Sequence, residues 1–231
     1  MKHFSSLLLA VAALSATNIC HANLISNGGF EVPALAAGTY QTINSTNDDT
    51  TVGFNWEVFY GDVDVAHLPV SPFIEYTAYK GNQALDLNGN NNGAIRQDFA
   101  TIFGQLYSLS FAYADNPNID TGEIGPSTAN IEVTDLINNN SLLFSDSISH
   151  STSTNGPPAS ADWKLFSRTF TAASTTTRLT FTSTSGSTPS AGIILDDVKV
   201  EAVTASVPEP ATFALLGLGL IGLGFSRRRR A

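Results

Sequence analysis

Cysteine is nearly missing from this chain: Cys20 is the only one in 231 residues. One thiol cannot form an internal disulfide, so an exported domain of this sequence is held by its core, its hydrogen bonds or a metal. Charge is scarce as well, at 13% of residues, and positive charge is scarcer still. Between residues 23 and 206, six basic residues (Lys80, Arg96, Lys164, Arg168, Arg178 and Lys199) face nineteen acids, a net charge of −13. Such a surface repels phosphate backbones, which argues against nucleic acid as a partner. Histidine in that span is limited to His67 and His150, and there is no G-x-S-x-G, no H-E-x-x-H and no phosphate-binding glycine loop. Nothing marks a serine partner for either histidine, and a glycosidase's carboxylate separation is not legible in sequence. The expectation is a protein that is not an enzyme.

Long apolar runs occur only near the two ends. Met1-Lys2-His3 supplies a small positive region, Phe4 to Ala16 is apolar, and Cys20-His21-Ala22 ends in a small residue. This reads as a secretory signal over residues 1–22, with the mature chain starting at Asn23 and Cys20 leaving with the signal. At the other end, Val207-Pro208-Glu209-Pro210 precedes the uncharged run Ala211–Phe225 and the cluster Arg227, Arg228, Arg229 and Arg230. The prolines keep the tetrapeptide extended. As a helix the run is about 22 Å long, short against a hydrocarbon core of roughly 30 Å. The arginines are costly to translocate and stop transfer there.

Val207 to Pro210, the Gly/Leu-rich run and the arginine cluster together resemble the PEP-CTERM sorting signal of Gram-negative, exopolysaccharide-producing bacteria. The resemblance implies the Sec translocon and a membrane-embedded exosortase as partners, with processing near the Pro-Glu-Pro. It also implies anchorage in the inner membrane by a C-terminal transmembrane helix before processing, and the cell surface or medium as the destination. Residues 207–231 are accordingly a sorting signal, and residues 23–206 a single domain with room for a sizeable core.

That domain carries an all-β pattern. Tyr107, Leu109, Phe111 and Tyr113 alternate with Ser108, Ser110, Ala112 and Ala114, a period of two with one bulky face. Further runs at 130–134, 164–170, 178–182 and 192–200 are rich in β-branched and aromatic residues, with 172–176 as a turn. Gly, Asn, Pro and Ser cluster between them, and no helical period is present. Nine or so short strands predict a β-sandwich of jelly-roll type.

The opening Asn23-Leu24-Ile25-Ser26-Asn27-Gly28-Gly29-Phe30-Glu31 is similar to that of galactose-binding-like jelly rolls. Stretches at 61–65, 83–89, 95–101 and 104–111 resemble the choice-of-anchor C family. In such folds a structural Ca²⁺ often sits where the first strand meets the last, which by resemblance implicates Glu31, Asp196 and Asp197. Two carboxylates with loop carbonyls could supply the oxygens calcium takes. The alternative is that Asp196 or Asp197 caps a turn or pairs with Lys199 or Arg178. Strand alternation places Asp196 on one face with Ile194, Val198 and Val200. The stretch Asp86 to Gly93 resembles a calcium loop but has Asn91 and Gln97 where an EF-hand needs glycine and glutamate, so it reads as a connecting loop.

Sugar binding needs exposed aromatic rings with polar neighbours. Tyr60, Tyr76 and Tyr79, with Asp62 and Asp64, are the ligand-binding candidates. Trp56 alternates with Phe54 and Val58 and reads as core, while Trp163 is open to either reading. The sequence thus predicts an exported, exosortase-sorted protein of the cell surface or extracellular matrix that binds polysaccharide without catalysis. The alternatives are a purely structural matrix protein and a cryptic glycoside hydrolase.

Overall fold

The computed structural model describes residues 22–48, 50–70, 76–116, 126–138, 140–151, 162–185 and 192–203. The secretory signal, Cys20 and the sorting tail from Val207 to the arginine cluster lie outside these residues. Eleven strands follow in order: β1 (Tyr40–Asn44), β2 (Glu57–Tyr60), β3 (Asp62–His67), β4 (Gln83–Asp86), β5 (Ala94–Ala100), β6 (Leu106–Asp115), β7 (Ser127–Asp135), β8 (Ser141–His150), β9 (Lys164–Thr171), β10 (Thr176–Ser183) and β11 (Ile193–Ala202). No helix occurs among the described residues.

The strands form two antiparallel sheets. One has six strands in the order β1-β3-β4-β11-β6-β9, and the other five in the order β2-β5-β10-β7-β8. Their facing sides make one core, with Val63, Val65, Leu85, Leu109, Phe111 and Leu195 against Val58, Ile95, Ile131, Val133, Leu179 and Phe181. Phe111 meets Phe181 edge-on with ring centroids 5.1 Å apart. Each such side chain contributes about 1.5–3 kcal/mol on burial, and without a disulfide the sum of these terms holds the domain. Trp56 is 97% buried between Phe30 and Phe181, as its alternation predicts.

The predicted turn at 172–176 is present, but it does not join two paired strands. β9 pairs with β6 in one sheet, and β10 pairs with β5 and β7 in the other. The turn therefore crosses the sandwich. Likewise the loop after Asp86 is a connection, closed by Gly93 N–H donating to the Leu87 carbonyl at 2.7 Å, between strands of different sheets.

The expected facing of the last strand is corrected by a bulge. Register against β6 shifts between Asp196 and Lys199, and Asp197 sits at φ 52°. The extra residue lets Ile193, Leu195, Val198 and Val200 all enter the core while Ile194 turns to the opposite face. Asp196 is two residues from Ile194 with no bulge between them, so it stays on that outer side. It is therefore separated from Val198 and Val200.

Candidate functional site

Two places in this sandwich gather polar chemistry. The first is the junction of the opening segment with β11. Asn23 accepts from the N–H groups of Ile25 and Val200 through Oδ1 and donates from Nδ2 to the Val198 carbonyl at 2.9 Å. Val198 N–H donates to the Gly28 carbonyl at 2.8 Å. A Cβ at Gly28 would stand 2.0 Å from the Val198 oxygen, so only glycine lets the two backbones approach. This clamp brings Glu31 and Asp196 to the same turn. Glu31 Oε1 accepts from the N–H groups of Asn82 and Gln83 at 2.8 and 2.9 Å. Asp196 Oδ2 accepts from Lys80 N–H at 2.8 Å and Oδ1 from Asp197 N–H at 2.6 Å. Burial pushes the Asp196 carboxyl up to about 7, the two N–H donors oppose the shift, and the charges of Asp197 and Glu31 add to it.

Asp197 behaves differently from its neighbour. Its Oδ2 lies 2.7 Å from Lys199 Nζ and 3.0 Å from Lys80 Nζ. The ion-pair alternative thus holds for Asp197 with Lys199, while Arg178 pairs instead with Asp98 in the other sheet. No group of three His, Cys, Asp or Glu side chains is placed to hold a metal among the described residues. The donor set at the junction is two carboxylates, of which Glu31 Oε1 and both Asp196 oxygens already accept backbone N–H groups; carboxylate oxygen is the donor a hard cation takes.

The second place is the outer face of the six-stranded sheet. Registers Asp64↔Asp86 and Ile194↔Asp86 put two acids in one cross-strand row with Ile194 and Ala114. Asp64 accepts from Thr42 Oγ1 at 2.6 Å. Asp86 accepts from Asn88 N–H at 2.8 Å and from Asn116 Nδ2 at 2.6 Å. Burial drives Asp64 up to about 6 against the Thr42 hydrogen bond, and the charge of Asp62 adds to the shift. Burial drives Asp86 up to about 8 against the hydrogen bonds of Asn116 and Asn88, with Asp64 and Asp115 adding to it. Asp62 is buried and organises the following loop, taking the N–H groups of Asn90 and Asn91. These acids shape the sheet end. Asp115 was not singled out from sequence, and Asp86 figured there only as the first residue of a connecting loop, because their neighbours come from distant strands.

Farther along the same face lie the aromatics. Tyr76 is not an exposed ring: it is 2% exposed and its hydroxyl donates to the Asp115 carbonyl at 2.5 Å. The apolar residues that cover it, Ala66, Leu68, Val70 and Ile194, remove it from solvent. It supports Trp163 edge-on at 6.0 Å, and Trp163 in turn lies 6.0 Å from Tyr79, which is 39% exposed. Trp163 Nε1 donates to the Thr77 carbonyl at 3.2 Å, fixing the indole. Tyr60 is exposed but belongs to β2 in the opposite sheet and does not join this group.

Beside Trp163 the face continues as Ser108, Ser110 and Ala112 of β6 and Leu165, Ser167 and Thr169 of β9. Leu165 is 68% exposed. The small face of the β6 alternation is therefore the outer one. On that face Ser108 and Ser110 are half-buried and Ala112 and Ala114 fully buried; a strand whose outer side is Ser and Ala instead of charge is the signal that could have located this floor from sequence. Lys80, Asp197 and Lys199 stand next to Tyr79 and β6 as its charged margin. His67 Nδ1 and His150 Nε2 both meet backbone carbonyls, those of Leu35 at 2.8 Å and Asp162 at 2.6 Å.

Architecture and chemistry together define an all-β two-sheet sandwich followed by a sorting tail. Residues 23–201 match the family described as "Protein of unknown function (DUF642)", and the chain belongs to that family. Residues 206–230 match the PEP-CTERM protein-sorting motif, which implies export and exosortase sorting to the cell surface. The chain is 28% identical over 230 residues to halomucin of Haloquadratum walsbyi (strain DSM 16790 / HBSQ001), covering 95% of this chain and 2% of halomucin. It thus spans only a small part of the curated relative it matches. Among solved structures it is similar to TmCBM61 in complex with β-1,4-galactotriose, with a TM-score of 0.46 and 16% identity over 79% of this chain and 99% of that one. It is also similar to the CBM22-1 xylan-binding domain of Paenibacillus barcinonensis Xyn10C, with a TM-score of 0.42 and 15% identity over 75% and 100% of the two chains.

Proposed function

We propose that this is a non-catalytic, polysaccharide-binding protein of the cell surface or extracellular matrix, anchored in the inner membrane by its C-terminal apolar run until an exosortase processes it. The observation that carries the reading is the Tyr79–Trp163 ridge beside the Ser/Ala floor of β6 and β9. A pyranose ring presents a face of C–H groups that packs on an aromatic face, and its hydroxyls pair with the polar groups around it. Trp163 supplies a held ring, Tyr79 a second one, and Ser110, Ser167 and Lys199 supply hydroxyl and ammonium partners.

Calcium belongs to this reading as a structural ion held by Glu31 and Asp196 with neighbouring carbonyls. Two clamped carboxylates, one of them fully buried, are stabilised by a cation of matching charge. Asp197 serves as the ion-pair partner of the two lysines beside the ridge. The ion's part would be to tie the opening segment to β11.

The test is binding of the protein to a panel of neutral and acidic polysaccharides, with calcium and with chelator. Saturable binding that Tyr79→Ala weakens about tenfold, with the fold intact by circular dichroism, supports the reading. Binding to no member of the panel moves the weight to a structural matrix protein, and release of reducing sugar to a hydrolase.

A further inference from the structure

We infer that the end of the sandwich formed by the 101–106 turn and its neighbours rests on the lipid bilayer while the C-terminal tail is still attached. The inference depends on the membrane-anchored reading of that tail given above, and adds to it a second, loop-borne contact.

The turn between β5 and β6 exposes Ile102 and Phe103 at 69% and 74%, with Leu106 at 39% behind them. It is not a loose excursion. Ile102 N–H donates to Tyr107 Oη, Thr101 N–H to the Thr175 carbonyl, and Gly104 N–H to the Ala172 carbonyl. The 172–175 turn is tied in its own right to the β7–β8 turn by Asn138 Nδ2 donating to the Ala173 carbonyl. That third turn presents Ile137 at 60%, with Leu142 at 56% following it. Three turns therefore form one hydrogen-bonded platform with apolar side chains directed outward.

The last described residue sits on the same platform. Val203 N–H donates to the Leu106 carbonyl at 2.8 Å, and Gln105 Nε2 donates to the Val203 carbonyl at 2.8 Å. From Val203 to Ala211, where the apolar run starts, there are eight residues, which fully extended reach at most about 30 Å. The tether cannot carry the platform far from the bilayer that holds the run.

Charge points to the same occupant. Residues 99–110, 136–145, 169–177 and 202–206 contain no Asp, Glu, Lys or Arg, in a domain whose net charge is −13. Asp135 lies beneath the turns with its carboxylate engaged by Ser174 Oγ, Asn138 Nδ2 and Ile137 N–H. An acidic domain is repelled by anionic lipid everywhere except at an uncharged end. Exposed Ile and Phe at a turn tip enter the interfacial zone, where their burial is favourable and no backbone group need leave its partner. Standing on this end, the sandwich keeps both sheet faces clear of the membrane, so the Tyr79–Trp163 ridge stays open to glycan.

The experiment uses the full chain with Cys20→Ser, which removes its only thiol, and Phe103→Cys carrying a nitrobenzoxadiazole label. A second variant carries the label at Asn90→Cys, an exposed position at the opposite end of β4 and β6. Both are reconstituted in vesicles of phosphatidylethanolamine and phosphatidylglycerol. The expected result is co-flotation of both, with blue-shifted emission and quenching by acyl-chain nitroxide at 103 and neither effect at 90. A label at 103 as aqueous as that at 90, on chain that floats, overturns the inference alone. Chain that does not float overturns the anchored reading of the tail, and the inference with it. A blue shift that appears in detergent and rises with protein concentration assigns the platform to a second copy of the chain and also overturns the inference.

Discussion

Asp86 allows the electrostatics of the outer face to be tested quantitatively. Its carboxyl is 2% exposed and is driven to about 8 by burial, with Asp64 and Asp115 contributing. An unfolded aspartate ionises near its ordinary value, so the native state binds a proton that the unfolded state has lost through the window between about 4 and about 8. A raised carboxyl contributes most at low pH, and its contribution is lost as pH rises through that window. At about 1.4 kcal/mol per unit, the cost at pH 7 is about 4 kcal/mol. Asp86→Asn removes the titration but not the site. The amide nitrogen that it turns toward Asn116 or Asn88 adds a penalty independent of pH, which cancels when stabilities at two pH values are compared. Denaturant unfolding of chain lacking residues 207–231 should therefore show wild-type stability falling relative to Asp86→Asn by about 3 kcal/mol between pH 5 and pH 7. Parallel pH profiles for the two proteins would refute the assignment of a buried, protonated Asp86.

Other outcomes follow from the same geometry. Gly28→Ala places a Cβ 2.0 Å from the Val198 carbonyl, and should cost at least about 2 kcal/mol in thermal unfolding by prising the opening segment from β11. Adding calcium should raise the melting temperature of the wild type and leave Glu31→Gln unmoved, with an equal response of both proteins counting against the junction as a calcium site. Arg96→Met breaks a two-point pair with Glu57 at 2.5 and 2.8 Å, yet the pair is partly exposed, so the loss should stay below about 1 kcal/mol. Tyr79→Ala should weaken polysaccharide binding about tenfold, equivalent to about 1.4 kcal/mol, with little change in melting temperature.

Much of this protein is legible in local pattern. Alternation over 107–114 sets one bulky and one small face, the prolines and apolar run of the tail define the sorting signal, and the opening from Asn23 to Glu31 marks the junction. These features depend on residues close in the chain, where strand period, proline geometry and hydropathy act directly. The tertiary structure decided the rest. One extra residue at Asp197 reverses the facing of Val198 and Val200 relative to Asp196, and a shift in pairing register is invisible to alternation. Tyr76 looks like a loop aromatic by sequence, but Ala66 of β3, the following Leu68 and Ile194 of β11 bury it. Asp64 and Asp86 become neighbours only because β3 pairs with β4, and Trp163 meets Tyr79 across 84 residues of chain. Val203 lies against Leu106 because β11 and β6 are adjacent, which sets the apolar turns beside the end of the last strand, from which the chain runs on to residues 206–230. Burial, charge coupling and surface juxtaposition depend on distance in space, and in an antiparallel sandwich that distance is set by strand order and register, which short-range pattern does not specify.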